Sequence, residues 1–178
     1  RQRQMCIRDS TMGIDEKPSN QFLDSIERRF NFNVPRDVGH NTIQAIKAME
    51  EKRSKVFIGL GGNFAQATPD TPRTHLAMKN CDLTVHISTK LNRSHLVTGQ
   101  DALILPCLGR TEIDTQANGP QGITVEDTFS MVHISYGQLE PRSEHLRSEP
   151  AIVAGIANAT LGNHPIDWNW VIQDYGHI

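Results

Sequence analysis

The residues best suited to chemistry lie in three clusters, each directly after an apolar run. The first is Gly61-Gly62-Asn63-Phe64, which follows Val56-Phe57-Ile58 within the stretch KVFIGLGGNFAQATPDTP, residues 55–72. Adjacent glycines permit backbone conformations, and an approach to a ligand, that a Cβ would block. Asn63 adds an amide that can both donate and accept. The second cluster comprises Ser88, Thr89, Lys90, Asn92, Arg93, Ser94 and His95, after LTVHIST at residues 83–89. The third, Arg110, Thr111 and Glu112, comes after DALILP at residues 101–106. Arg, Asn and hydroxyl donors at strand ends suit recognition of a phosphate and a base. The competing reading is a tight structural turn followed by solvated loops. Neither GxGxxG nor GxxxxGK[ST] spacing is present, so shape alone does not decide between the two.

Other reactive residue types point elsewhere less clearly. The eight histidines, at 40, 75, 86, 95, 133, 145, 164 and 177, show neither HxH nor HxxxH spacing and argue against a dedicated metal site. His86 lies inside a strand and reads as a packed or surface strand residue. Cys6, Cys81 and Cys107 are odd in number, widely spaced and without a CxxC pair. That disfavours a disulfide framework, a structural zinc or an iron–sulfur cluster within the chain, and it suits a reducing compartment. Cys107 follows a strand end, where a reactive thiol is conceivable. A small buried cysteine is the preferred reading. No GxSxG elbow occurs.

The elements needed to position the clusters can be read from periodicity. Val56–Ile58 reads as a buried strand, Leu83–Thr89 as a second and Asp101–Pro106 as a third. Thr71-Pro72 reads as an N-cap and first-turn proline opening a helix over Arg73–Lys79. A strand, helix and strand of this length favour parallel pairing through a crossover. The turns at 59–68, 88–95 and 106–112 then fall along one sheet edge, where open α/β sheets bind ligands. Upstream, Pro18–Asn31 reads as a helix capped by Ser19 or Asn20, with Phe22, Leu23, Ile26 and Phe30 on one face. A second helix starts at Asn41 or Thr42. Lys90–Gly99 reads as a polar loop or short helix and Gly109–Gln121 as irregular. Ile123–Asp127 and Met131–Gly137 read as a hairpin. Ser143–Asn158 reads as a helix that Pro150 should kink or restart, and Asp167–Tyr175 has helical spacing.

At 178 residues, one domain with a sizeable core is the prior. The formal net charge of −2 supplies no global attraction for nucleic acid. No apolar run approaches the roughly 20 residues of a membrane span, and the first residues lack the apolar core of a signal peptide. RQRQMCIRDS, residues 1–10, has no amphipathic period and looks like translated sequencing adapter, so it is expected to be a foreign or disordered tail. The sequence stops at Ile178 without terminal punctuation, and truncation is expected at both ends.

Taken together, FIGLGGNFAQATPDT, STKLNRSHL, ALILPCLGRTE and VEDTF resemble the alpha subunit of formate-dehydrogenase-like molybdopterin oxidoreductases, a branch of the dimethyl-sulfoxide-reductase family. The similarity runs from about Gly13 to the end of the sequence. STKLNRSH and LPCLGRTE are the specific motifs; GGN is the looser strand-end motif of the whole family. The resemblance implies an internal fragment of a large multidomain enzyme. That enzyme carries a bis(molybdopterin guanine dinucleotide) molybdenum centre for two-electron chemistry. It implies a Rossmann-like, three-layer α/β domain with a mainly parallel sheet over residues 11–162, and the start of a truncated further segment over 163–178. It further implies that Gly61, Gly62, Asn63 and Phe64 line one dinucleotide arm, with Ser88, Thr89, Lys90, Asn92 and Arg93 at the neighbouring strand end.

The family's molybdenum ligand and iron–sulfur cysteines lie upstream of the matching segment. Catalytic and metal-binding residues are therefore not expected within this chain, and the resemblance allows a 4Fe-4S cluster only in other parts of the full-length protein. The implied setting is cytoplasmic, with a small-molecule substrate, no nucleic acid, no membrane span and an electron-transfer partner protein. The rival from another class is a non-catalytic nucleotide-binding or regulatory α/β module. A structural interaction domain is the third reading.

Overall fold

A computed structural model describes residues 18–37 and 39–178. The expected foreign tail at 1–10 lies outside the described residues, as does Cys6. The fold is α/β, with one parallel and one antiparallel sheet of three strands each among the described residues. The chain divides into two compact units. One is formed by residues 39–109 and 142–149, and the other by the described residues up to 37 together with 110–141 and 150–178.

The first unit holds the parallel sheet. Helix α2 (Thr42–Glu50) starts in a capping box: Gln44 N–H donates to the Asn41 side chain and Asn41 N–H to the Gln44 side chain. Its Ile46 and Met49 turn inward. Strand β1 (Val56–Leu60), the short helix α3 (Phe64–Ala67), helix α4 (Thr71–Lys79), strand β2 (Leu83–Ser88), a 3-10 turn (Arg93–Leu96) and strand β3 (Asp101–Pro106) follow. The strand order is β1-β2-β3, parallel throughout, with Val56 beside Leu83 and Leu83 beside Asp101. All three C-terminal ends therefore fall on one edge of this sheet, as the sequence predicts.

The core of this unit joins Ile46 and Met49 of α2 to Ala65 of α3, Ala77 and Met78 of α4, Cys81 and Val97, with Phe57 and Phe64 packed against it. Arg73 ties α4 to α2 by two hydrogen bonds to Glu50, the Nη2–Oε2 contact being 2.7 Å. Those bonds hold the Glu50 carboxyl below the usual carboxylate range. Gly99 is required by close approach: a Cβ there would run into the Cys81 carbonyl. Thr84, fully buried on β2, accepts from Gly99 N–H at 3.2 Å and donates to Asp101 O at 3.3 Å.

Several local expectations need correction. Strand β1 is not buried. Among the described residues it is an edge strand with one neighbour, and of its apolar side chains Phe57 packs against the helical core. Val56, Ile58 and Leu60 alternate to the opposite face and stay about half exposed. The N-cap of α4 is Asp70, in the left-handed region at φ 57°, rather than Thr71; Thr71 is the first helical residue. Helix α3 was not anticipated, being a single turn too short for periodicity to register. Between β2 and β3 the connection holds a 3-10 turn, in keeping with the loop or short helix expected over Lys90–Gly99.

The second unit opens with helix α1 (Asn20–Phe30), capped by Ser19, whose hydroxyl accepts from Phe22 N–H at 3.2 Å, and stopped by Asn31 in the left-handed region. Of its expected apolar face, only Leu23 is buried. The antiparallel sheet runs β4 (Asp114–Gln116), β5 (Gly119–Glu126) and β6 (Val132–Tyr136) in consecutive order. The β5–β6 hairpin is the expected one. Its turn is built on Asp127, whose Oδ1 accepts from Phe129 N–H and Met131 N–H, and Ser130 takes a positive φ of 62°. Residues 109–121 are not irregular, because Asp114–Gln116 pairs back on Gly119–Gln121.

Helix α5 (Glu149–Leu161) begins well after Ser143. Pro150 starts this helix instead of kinking it, because a missing N–H is harmless in the first turn. The expected helix over 167–175 is two short turns, α6 (Trp168–Val171) and a 3-10 turn (Tyr175–His177). Tyr175 fastens this last segment to the antiparallel sheet. Its hydroxyl donates to the buried Asp114 carboxylate, and its N–H donates to Gln121 Oε1 at 2.8 Å. Among the described residues no helix is long and apolar enough to cross a membrane.

Candidate functional site

The C-terminal ends of β1 and β2 build one continuous polar edge. Gly61 N–H extends the ladder by donating to Ile87 O at 2.8 Å. The backbone then turns through Gly61 and Gly62, both in the left-handed region at φ 65° and 66°. Both are exposed, and an added Cβ at either would meet no protein atom within 4 Å. The turn thus demands glycine for its conformation and faces open space, so a side chain there would fill volume a ligand could use.

The second loop clamps onto this turn. Asn92 Nδ2 donates to Gly62 O at 2.6 Å. Ser94 Oγ donates to Asn63 Oδ1 at 2.9 Å and accepts from Ala65 N–H at 3.0 Å. Asn92 also caps its own 3-10 turn: Oδ1 accepts from Ser94 N–H at 2.9 Å, and Asn92 N–H donates to His95 Nδ1 at 3.0 Å. Arg93, exposed, reaches Gln66 Oε1 at 3.4 Å, a long contact that leaves most of its fork of donors facing outward. Ser88 Oγ donates to Lys90 O at 2.8 Å, which bends the chain out of β2 and leaves Thr89 and Lys90 exposed. Phe64 tucks beside Phe57, ring centroids 5.0 Å apart, and anchors the loop to the core.

The structure therefore brings together Gly61, Gly62, Asn63, Asn92 and Arg93, with Ser88, Thr89 and Lys90 continuing the same strand end. Phe64 is a packing residue in this geometry. Cys107 follows β3 and is buried, donating its N–H to Ser88 O at 3.2 Å, whereas the third cluster, Arg110, Thr111 and Glu112, belongs to the other unit. The preference for a buried Cys107 holds at 3% exposure.

Ser94 and His95 were visible in the sequence as donors, but their structural weight was not. Both are buried, at 2% and 8% exposure, and Ser94 is the bridge between the loops. The available signal was Asn92 two and three residues ahead of them, an N-cap residue in front of a short turn. His86 is also buried, at 4% exposure, with its ring centroid 4.8 Å from that of His95. Burial, and next the neighbouring His95, push the His86 imidazole below the ordinary histidine range.

Replacing Ser94 by Ala is expected to leave Ala65 N–H unsatisfied and to remove the donor from Asn63 Oδ1. Chemical denaturation of the full chain should register a loss of about 1–3 kcal/mol, the usual cost of orphaning a buried partner. A loss under about 0.5 kcal/mol would mean the bridge contributes nothing to holding the loops together.

Among the described residues no group of three or more His, Cys, Asp or Glu side chains is placed to hold a metal ion. The edge instead offers backbone space, amides, hydroxyls and an arginine, a donor set suited to an anionic or nucleotide-like ligand.

Comparison with known proteins gives similar sequences but no matching family model. The chain is 52% identical over 171 residues, 96% of its length, to an uncharacterized oxidoreductase of Mycobacterium tuberculosis strain H37Rv, and equally to one of Mycobacterium bovis. It is 46% identical over 170 residues to Protein YdeP of Escherichia coli strain K12. The chain spans about a fifth of these relatives, 22% of each. It is thus similar to one segment of longer proteins, some of which carry the name oxidoreductase.

Proposed function

We propose that this chain is the part of a formate-dehydrogenase-like molybdopterin oxidoreductase that holds one guanine dinucleotide arm of a bis(molybdopterin guanine dinucleotide) cofactor. The observation that carries the reading is the clamped edge at the ends of β1 and β2. Two glycines in left-handed conformation front open space, Asn92 bonds to Gly62 and Ser94 to Asn63 beside them, and Arg93 stands exposed on the same loop. The oxidoreductase names of the longer relatives agree with it. So does the sequence resemblance of STKLNRSH and LPCLGRTE to that enzyme branch.

In this reading Gly61 and Gly62 let the backbone approach the dinucleotide. Asn63 offers its amide to a base edge or ribose, and Arg93 places its planar fork on a phosphate or on guanine O6 and N7. Ser88, Thr89 and Lys90 supply further donors along the strand end. When bound, the molybdenum centre supplies the two-electron chemistry, and these residues bind and orient it. The metal ligand and any 4Fe-4S cluster belong to other parts of the complete enzyme. Its substrate, electron-transfer partner and cytoplasmic setting form part of the same proposal.

Metal and pterin analysis of the complete protein tests the reading directly: molybdenum and pterin guanine dinucleotide are expected together. In the same protein Arg93→Ala should weaken cofactor retention by about 1.5–3 kcal/mol, the worth of a charge-assisted hydrogen bond. The ligand-free melting temperature should hardly change, because Arg93 is exposed. Absence of pterin from the parent protein would overturn the cofactor, and full loading of the Arg93 variant would remove that residue from the site.

A further inference from the structure

His86 and His95 are a buried pair that the site described above does not use. Their rings stand at a centroid distance of 4.8 Å, and the Nε2 atoms of both are buried without a hydrogen-bond partner among the described residues. His95 Nδ1 lies 3.0 Å from Asn92 N and 3.2 Å from both Asn92 O and Asn92 Oδ1, so it accepts the Asn92 N–H in one tautomer and donates to either oxygen in the other. From β1 the His86 ring meets Phe57, at 5.7 Å between centroids, and Gly59, at which an added Cβ would lie 3.4 Å from His86 Nδ1. From the 3-10 turn it meets His95, whose imidazole disfavours a charge on His86.

We propose that His86 and His95 form an acid-sensitive latch. With His86 neutral, the loop after β2 is clamped onto the glycine turn after β1 through His95. Proton uptake by His86 releases it. The regulatory consequence for ligand retention rests on the function proposed above, whereas the latch itself is a property of the ligand-free chain.

The direction follows from where each ring is mounted. A proton added to His86 charges a buried ring whose Nε2 has no hydrogen-bond partner among the described residues and which stands beside a second imidazole. Relief requires water. His86 is fixed on the central strand β2, held on both sides by the parallel ladder. His95 sits in a four-residue 3-10 turn, the weaker element, and can swing outward. When the turn leaves, it takes with it the Asn92–Gly62 bond and both Ser94 bonds to residues 63 and 65.

The closed state binds fewer protons than the open one. Closure is therefore fully favoured above the ordinary histidine value of about 6.5 and is progressively lost as pH falls below it. The depressed His86 value agrees with that sign.

Amide hydrogen exchange of the ligand-free full chain, corrected for the intrinsic pH dependence of exchange, tests the latch. Between pH 7.5 and pH 5.5, protection at residues 61–65 and 92–96 should fall at least tenfold more than protection within α4. His86→Phe keeps an aromatic ring beside Phe57 without a titrating group and should remove that difference. His95→Gln retains an acceptor for Asn92 N–H and should do the same. Equal protection in the parent chain at both pH values would overturn the proposal, even if neither variant folds. A pH-dependent loss that persists undiminished in both variants would overturn it too. Pterin analysis at pH 7.5 tests the ligand reading separately, so the two can fail independently.

Discussion

Replacing Gly62 by Val is expected to empty the complete protein of pterin while leaving most of its ligand-free stability. Gly62 has a φ of 66°, and an added Cβ meets no protein atom within 4 Å. A branched side chain there costs the apo protein backbone strain of roughly 1–2 kcal/mol, with no clash added. The ligand-bound protein should suffer more, since the same side chain fills the space in front of the edge. Pterin content should drop more than tenfold against a ligand-free melting temperature lowered by a few degrees. Gly62→Asn serves as the control for strain, because Asn tolerates the left-handed region better than any other branched or bulky choice. If Val and Asn lower loading in step with apo stability, the glycine serves only the turn. Full loading of the Val variant would refute the site.

Met78→Ala should be the most destabilising single truncation in the parallel unit. Met78 is fully buried at 0% exposure, on the face of α4 that meets Ile46 and Met49 of α2 and Val97. Removing its side chain deletes apolar contacts and leaves a cavity that the two helices and the sheet can only partly close. The expected cost is about 2–5 kcal/mol, and in a chain of this size each kcal/mol lowers the melting temperature by about 2–4 °C. Leu96→Ala provides the contrast. Leu96 is 83% exposed, and its truncation should stay within about 0.5 kcal/mol. Thermal unfolding of the two variants beside the parent chain checks both. A small effect at Met78 would mean that α2 and α4 are held to the sheet mainly by something other than this core.

Much of the local structure was legible because it depends on neighbours in the chain. Ser19 and Asn41 cap their helices as read. Pro72 sits in the first turn of α4, and Asp127 with Ser130 turns the β5–β6 hairpin. The parallel order also followed from sequence. Val56–Ile58, Leu83–Thr89 and Asp101–Pro106 are β-rich runs with room between them for crossovers, and parallel strands deliver their C-terminal ends to one edge. The placement of Gly61, Gly62, Asn63, Asn92 and Arg93 on that edge was therefore already implied.

What proximity in sequence could not supply was burial. Val56, Ile58 and Leu60 look as apolar as the central strand, yet β1 lies at the edge of its sheet and leaves them half exposed. The composition of a strand says that it can be covered, not that anything covers it. Pro150 was ambiguous for a related reason. The same residue breaks a helix from inside and starts one from its first turn, and only the position of the helix start decides which.

The amino-acid sequence by itself determined the α/β class, the strand-end glycines with their need for a positive φ, and the concentration of donors between Ser88 and His95. Only the tertiary structure decided how those donors are used. Ser94 and Asn92 turn inward to clamp the glycine turn while Arg93 stays outside. His86 and His95, nine residues apart in sequence, become a buried pair whose Nε2 atoms have no hydrogen-bond partner among the described residues. The physical reason is that a side chain's chemistry is set by its solvation and its partners. Both come from strands and turns far away in the chain, which local propensity does not see.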